Sequence, residues 1–294
     1  MIKIRKKGLY SAVKSIKIGA KFYSTQSTID PMWGLNMIQF YKKAILSILV
    51  TLATVPVFAE QTEQATTAQG NWSGSVGVVN KYVYRASEEN DQAALQAGLE
   101  YAHNSGLFAG YWGSTLNYDP TNDSQSHGFE HDFYVGYGRE LNEDWSYKSQ
   151  VMAYVYQGGG SVYNDDRSEK RRTTGVEFIQ DISYKDLTAS MAVLLSDVNY
   201  GNAGDVYLNA TYSYALPYDV SLNSSLGVSV FNDSRDDSLL TTTEDVVFTE
   251  ARLGLSKPIA DTGFEIAADY VWGGKDREGE QLDDNVVVGL TYSF

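Results

Sequence analysis

The sequence predicts an all-β protein: an antiparallel up-and-down transmembrane β-barrel of about twelve strands, with short periplasmic turns and long extracellular loops. Three observations predict it. From Trp72 onward apolar and polar residues alternate, with hardly any helical period. The segments between alternating runs are short and long in strict turn. The chain ends on Asn285–Phe294, where Val286, Val288, Leu290, Tyr292 and Phe294 occupy every second position. Successive side chains of a strand point to opposite faces, so this last strand has one wholly apolar face. Its pattern resembles the C-terminal assembly signal of bacterial outer-membrane barrels, which ends in Phe.

Taken in order, the chain opens with a basic stretch. Residues 1–59 carry nine Lys/Arg and one acid, Asp30, while the remainder holds 14 basic and 36 acidic residues. Residues 1–36 read as an upstream extension. Met37–Ala59 reads as a signal peptide: Lys42 and Lys43 precede an apolar run from Ala44 to Val57, and Val57 and Ala59 occupy the cleavage positions. Residues 60–71 are rich in Gln, Thr and Ala and read as a flexible segment. Residues 72–294 form the barrel.

The predicted strands are 72–84, 93–102, 107–117, 131–140, 145–156, 173–184, 187–196, 205–215, 219–231, 246–257, 262–272 and 285–294. Each is near the roughly 9–11 residues a tilted strand needs to cross a bilayer. Turn-forming sequences such as Asn104-Ser105-Gly106, Lys185-Asp186 and Leu216-Pro217-Tyr218 follow every second strand. Longer segments, 85–92, 118–130, 157–172, 197–204, 232–245 and 273–284, follow the others. A soluble sandwich has no reason to sort its connections by length; a barrel with two unlike ends does. Aromatic residues gather at strand ends. Tyr101, Phe108, Trp145, Tyr184, Tyr212, Phe264 and Tyr292 lie near the short turns. Tyr84, Trp112, Tyr118, Tyr156, Phe231 and Trp272 lie near the long loops, and two interfacial girdles are expected.

Composition excludes several classes. There is no Cys, hence no disulfide, thiolate metal site or thiol nucleophile. The acidic balance after residue 59 excludes nucleic acid held through its phosphates. No run past residue 59 is apolar for the roughly 18–20 residues of a membrane helix.

The first hairpins carry more than rhythm. Trp72–Ser87, Gln92–Ser114 and Glu130–Tyr137 resemble the TorF family of porins, through Tyr82, Arg85, Gln96, Gly98, Tyr101, Ser105, Gly106, Gly110, Trp112, Ser114, Glu130, Asp132, Tyr134, Gly136 and Tyr137. The chain departs from that family at Ala86-Ser87, where Arg-Gly-x-Ser is usual, and at Ala94, where Pro is common. The resemblance implies a bacterial outer-membrane barrel with passive transport.

Little points to catalysis, and no enzyme activity and no cofactor are expected. His127 and His131 have the spacing of a two-His metal motif, but that motif needs a helix and Gly128 lies between them. His103 falls in a short turn. Acidic loops (Asp119 to Asp123, Asp165-Asp166, Asp233 to Asp237, Asp276 to Asp284) read as solvated surface beside lipopolysaccharide rather than calcium loops. Strand phase assigns the lumen Gln96, Glu100, Lys148, Gln150, Glu177, Asp181, Glu250, Arg252, Glu265 and Asp269. Acids outnumber bases there, which favours cations. The expectation is a porin of a Gram-negative outer membrane, a diffusion channel for small polar or cationic solutes. Its partners would be outer-membrane lipid, lipopolysaccharide and the barrel-assembly machinery. The alternative is a non-conducting structural or surface-interaction barrel.

Overall fold

The computed structural model describes residues 70–294 except 123. The upstream extension, the signal peptide and most of the segment 60–71 lie outside the described residues.

Sixteen strands follow in chain order: β1 (Gly70–Val79), β2 (Tyr82–Tyr84), β3 (Ser87–Asn90), β4 (Ala94–His103), β5 (Leu107–Leu116), β6 (Gly128–Glu140), β7 (Trp145–Tyr156) and β8 (Ser161–Tyr163). Then come β9 (Lys170–Arg172), β10 (Gly175–Tyr184), β11 (Leu187–Leu194), β12 (Val206–Leu216), β13 (Val220–Val230), β14 (Val246–Pro258), β15 (Phe264–Gly273) and β16 (Asn285–Ser293). Twelve of them close into one antiparallel barrel in the order β1-β16-β15-β14-β13-β12-β11-β10-β7-β6-β5-β4. Closure leaves no strand edge unpaired, which is what a sheet needs where no water is available to its backbone. The seam joins the two ends of the described chain. Ser75 to Val79 pair with Ser293 to Gly289. Beyond them Gly74 and Phe294 exchange both backbone hydrogen bonds at 3.0 Å. Gly74 leaves room there for the Phe294 ring, which a Cβ would meet at 2.5 Å.

The barrel is inside out relative to a soluble domain. Val76, Leu95, Leu99, Phe133, Val135, Leu226, Leu253, Ile266, Val286, Val288 and Leu290 are exposed on its outer face. Aromatic pairs ring the short-turn end: Trp72–Tyr101 (5.1 Å between centroids), Trp145–Tyr184 (4.8 Å) and Phe264–Tyr292 (5.0 Å). The second girdle differs from expectation. Of the six residues assigned to it only Trp272 is exposed outside. Tyr84, Tyr118, Tyr156 and Phe231 line an internal cavity, and Trp112 packs edge-on against Tyr82. Phe108, assigned to the first girdle, is buried beneath the Lys148 ammonium. Trp112, Tyr156 and Phe108 fall on the inner phase of their strands, whereas Tyr84 sits on the inward hairpin and Tyr118 and Phe231 lie beyond strand ends.

Two further corrections concern the loops. The predicted strand 72–84 is two elements, because β1 ends at Val79 and β2 pairs with β3 as a separate hairpin. Asn80 replaces the next ladder step: its N–H donates to Val288 O, and its side chain bridges to Val286 O and Val288 N. The chain can then leave the wall without orphaning β16. The long segment 157–172 also contains a hairpin, β8–β9.

Both buried apolar clusters among the described residues are built on the β2–β3 hairpin. Tyr82 packs with Ala94 and Leu116, and Val83 and Ala86 pack with Val271. The hairpin is therefore held inside the barrel by its apolar side chains.

Candidate functional site

The β2–β3 hairpin turns through Arg85 (φ 50°) and Ala86 (φ 59°), both left-handed. Two such residues make the tight turn whose twist suits a hairpin. Each costs an L-residue roughly 1–2 kcal/mol, so the tip persists only because its surroundings hold it. They do so on both walls. Toward β10, Arg85 Nη1 and Nη2 each donate to a Glu177 carboxylate oxygen at 2.8 Å. The Tyr154 hydroxyl on β7 donates to the same carboxylate at 2.8 Å and meets the Tyr84 hydroxyl at 3.1 Å. Toward β14, the Ala86 N–H donates to Glu250 at 3.0 Å, and Arg252 Nη2 donates to Val83 O at 3.0 Å. The Tyr207 hydroxyl completes that side, donating to Glu250 at 2.8 Å. The Arg85 guanidinium lies against the Tyr84 and Tyr207 rings, 4.7 and 4.4 Å from their centroids.

A bulge aims Glu250 at this tip. Gly227 pairs with Glu250 but Val228 pairs with Phe248, so Thr249 is the extra residue. A bulge reverses the phase of a strand. Thr249 and Glu250 are consequently both buried, and Thr249 Oγ1 meets Ser229 Oγ at 2.7 Å.

Above the hairpin, at the long-loop end, lies a cavity of about 550 Å³. Its lining includes Tyr84, Arg85, Glu89, Tyr118, Glu130, Tyr156, Tyr200, Phe231, Lys275 and Arg277. Burial pushes the Glu89 carboxyl above its ordinary value, partly countered by the Tyr118 hydroxyl that donates to it at 2.7 Å. Burial likewise raises Asp205, against the Asn232 N–H and Arg277.

Of the ten residues predicted from strand phase, five gather in two sets. Glu177, Glu250 and Arg252 meet at the hairpin, Arg252 Nε lying 3.3 Å from Glu250. Glu100 and Lys148 form an ion pair at 3.6 Å nearer the short turns, with Lys148 over Phe108 at 4.3 Å. Asp181 pairs in register with Lys148. Asp269 pairs with Gly254, where a Cβ would stand 1.7 Å from its carboxylate. Gln96 and Gln150 are half-buried and Glu265 is exposed; none of the three joins a cluster. The terminal set Val286, Val288, Leu290, Tyr292 and Phe294 is exposed on the outer face.

Sequence reasoning missed Arg85, Tyr154, Tyr207 and Arg277 as site residues, and it read Glu130 and Asp132 only as motif positions. Glu130 and Asp132 are both buried on β6, and Glu130 Oε2 and Asp132 Oδ1 lack hydrogen-bond partners. The expected strand 131–140 already held Asp132 on its inner phase, and a start at Gly128 would have added Glu130.

The histidines are kept apart in role. His131 lies among Phe129, Tyr111 and Phe133, its Nδ1 at 3.0 Å from the Tyr111 hydroxyl. His103 caps its own turn through Ser105 (Nδ1 to Oγ 2.7 Å, Ser105 N–H to Nδ1 3.1 Å). Among the described residues no three His, Asp or Glu side chains gather as metal ligands.

Three solved structures show what the barrel is similar to. A structure described as KdgM porin matches at 9% identity, covering 76% of this chain and 99% of its own, with a TM-score of 0.46. An outer-membrane channel from Pseudomonas putida F1 matches at 12% identity, covering 79% and 99%, with a TM-score of 0.43. Outer membrane phospholipase A from Escherichia coli matches at 12% identity, covering 79% and 93%, with a TM-score of 0.38. No curated protein matches by sequence. A family profile does match, over residues 63–294, and its description is "Bacterial protein of unknown function (Gcw_chp)". It carries no TorF designation, and the resemblance of the first hairpins to that family rests on their own residues. Spanning the whole barrel, that match makes the chain a member of the Gcw_chp family.

Proposed function

We propose that the protein is an outer-membrane channel, a narrow passive diffusion path for small polar or cationic solutes whose width is set by the β2–β3 hairpin. The observation that carries this reading is the pairing of an apolar outer face with a polar inner one in a closed twelve-stranded barrel. Twelve strands enclose more than the filled eight-stranded barrels and less than the open sixteen-stranded porins. The inner carboxylates Glu100, Glu177, Asp181, Glu250 and Asp269 outnumber Lys148, Arg85 and Arg252, which favours cations. On this reading the exposed band contacts outer-membrane lipid, the long loops meet lipopolysaccharide, and the terminal strand is presented to the barrel-assembly machinery. No step of covalent chemistry is assigned.

The hairpin itself favours a second reading. It reaches both walls of the barrel, and such a crossing suits a barrel that does not conduct and serves its surface instead. Recording from the exported, membrane-purified protein in planar bilayers separates the two. Discrete conductance steps with cation preference are expected; folded protein that gives none sinks the channel reading.

A further inference from the structure

The cavity above the hairpin holds two buried groups of opposite sign, each only partly satisfied within the chain. Glu130, on β6, is 4% exposed, and its Oε2 lacks a partner. Arg277, in the segment between β15 and β16, is 7% exposed. Its Nη2 donates to Asp205 at 3.0 Å and its guanidinium lies 4.9 Å from the Phe231 centroid, while Nε and Nη1 lack partners. Both residues line the same cavity of about 550 Å³. They belong to fixed elements: Glu130 is in the ladder between Ser114 and Tyr156, and the Arg277 carbonyl accepts from the Thr243 and Glu244 N–H groups at 3.0 and 3.1 Å. No hydrogen bond joins the two. A buried charged group without its hydrogen bond is costly, so each end is poised for an outside partner. Tyr118, Tyr156 and Tyr200 line the cavity with Glu130, and aromatic faces attract an ammonium group. Lys275 lines it with Arg277 and adds positive charge for a carboxylate.

We propose that this cavity binds a small zwitterion of the amino-acid class, its ammonium end toward Glu130 and its carboxylate end toward Arg277. The proposal rests on reading the lumen as a solute path, and it names the class of solute held at the entrance.

Binding to the exported, detergent-purified protein is measured by calorimetry with ω-amino acids from glycine to 6-aminohexanoate. Butylammonium and butyrate serve as single-charge controls and glucose as a neutral one. One chain length should bind best, and each single-charge control should bind roughly tenfold to a hundredfold more weakly, the loss expected when one charged hydrogen bond is absent. Glu130→Gln should bring the best zwitterion down to the level of butyrate, and Arg277→Gln to the level of butylammonium. A series with no binding, controls as tight as the zwitterion, or variants with unchanged affinity would overturn the proposal. If a variant does not reach the membrane folded, the wild-type series against its controls decides alone. Conductance without zwitterion binding sinks the site and leaves the channel; binding without conductance does the reverse.

Discussion

Arg171 and Arg85 are both arginines in the upper half of the molecule, and each is paired with one carboxylate, yet their surroundings differ in kind. The Arg171 side chain is fully buried. It donates to Asp237 and Asn202 at 2.8 Å, to the Val198 and Gly201 carbonyls at 3.1 and 3.3 Å, and to the Arg235 carbonyl. Those acceptors come from two different long loops, so one side chain ties three loops together. Arg85 is 23% exposed, gives both its hydrogen bonds to Glu177, and otherwise touches ring faces at a strained tip. Removing the first orphans many buried acceptors; removing the second orphans one carboxylate that Tyr154 still serves. The loop cluster is a fastening, and the hairpin is a latch inside the barrel.

The largest effect should come from Arg171→Met. Deleting one member of a buried pair typically costs about 3–5 kcal/mol, and here carbonyls are left unpaired as well. Limited proteolysis should show the long loops cleaved at protease levels that spare the wild type, while the barrel stays resistant. Arg85→Ala should cost less, about 1–3 kcal/mol for the under-paired Glu177. Arg252 and Glu250 still hold the hairpin backbone. Its readout is conductance, which should rise severalfold with stronger cation preference, because a cation leaves an acidic lumen. Unchanged single-channel current would mean that the hairpin is not the constriction.

The same contrast marks what the sequence disclosed. The twelve wall strands were legible because the alternation of apolar outer and polar inner residues is a local signal, and turn residues punctuate it. The hairpin was not. Tyr82 and Tyr84 continue the even-numbered apolar phase of Val76 and Val78, so pattern alone carries β1 through to 84. Only the tip departs, and it does so without Gly or Asn. The one available clue lay at Ala86, where the resembled family has Gly: a left-handed position explains that Gly and makes Ala86 the strained substitute. The inner acids of the strands follow from phase, but Arg85–Glu177 and Arg277–Asp205 join residues 92 and 72 apart in sequence. No periodicity encodes such pairs.

Acid should move the two regions in opposite directions. Asp237 is raised by burial, but the Arg171 hydrogen bond and the Leu239 and Leu240 N–H groups outweigh that and set it below its ordinary value. The Ala203 N–H and then Arg235 lower Asp197, despite some burial. A lowered carboxyl stabilises the fold above its unfolded pKa, about 3.9, and that contribution is lost as pH falls through the lower folded value. The loop fastening should therefore loosen only in strong acid. Glu89 and Asp205 at the cavity are raised, so their ionisation costs stability near neutrality, and protonation on mild acidification recovers it. Hydrogen exchange from pH 7 downward should show protection of residues 87–91 rising before that of 235–240 falls; a parallel loss in both segments would contradict the assignment.

At the seam the effect on folded protein should be smaller still. Deleting Phe294 removes two backbone hydrogen bonds to Gly74 and a ring packed over it, out of a closed ladder of twelve strands. On the proposed role of this end as an assembly signal, insertion should suffer more than stability. Normal outer-membrane levels of the deletion would make the terminal Phe an ordinary residue.

The smallest quantity is the most discriminating one. Arg85 and Arg171 share no hydrogen-bond partner: the first bonds Glu177 in the wall, the second bonds the loops. Independent sites add to within roughly 0.3–0.5 kcal/mol. The double variant Arg85→Ala, Arg171→Met should thus lose the sum of the single losses, and its conductance should match that of Arg85→Ala alone. The segment 195–205 could couple them, since Val198 and Gly201 accept from Arg171 while Tyr200 lines the cavity with Tyr84. A coupling well beyond the additive range would mean that loosening the loops also frees the hairpin. The outer fastening would then act on the inner latch through Tyr200, and Tyr200→Ala should abolish the coupling while leaving both arginine pairs in place.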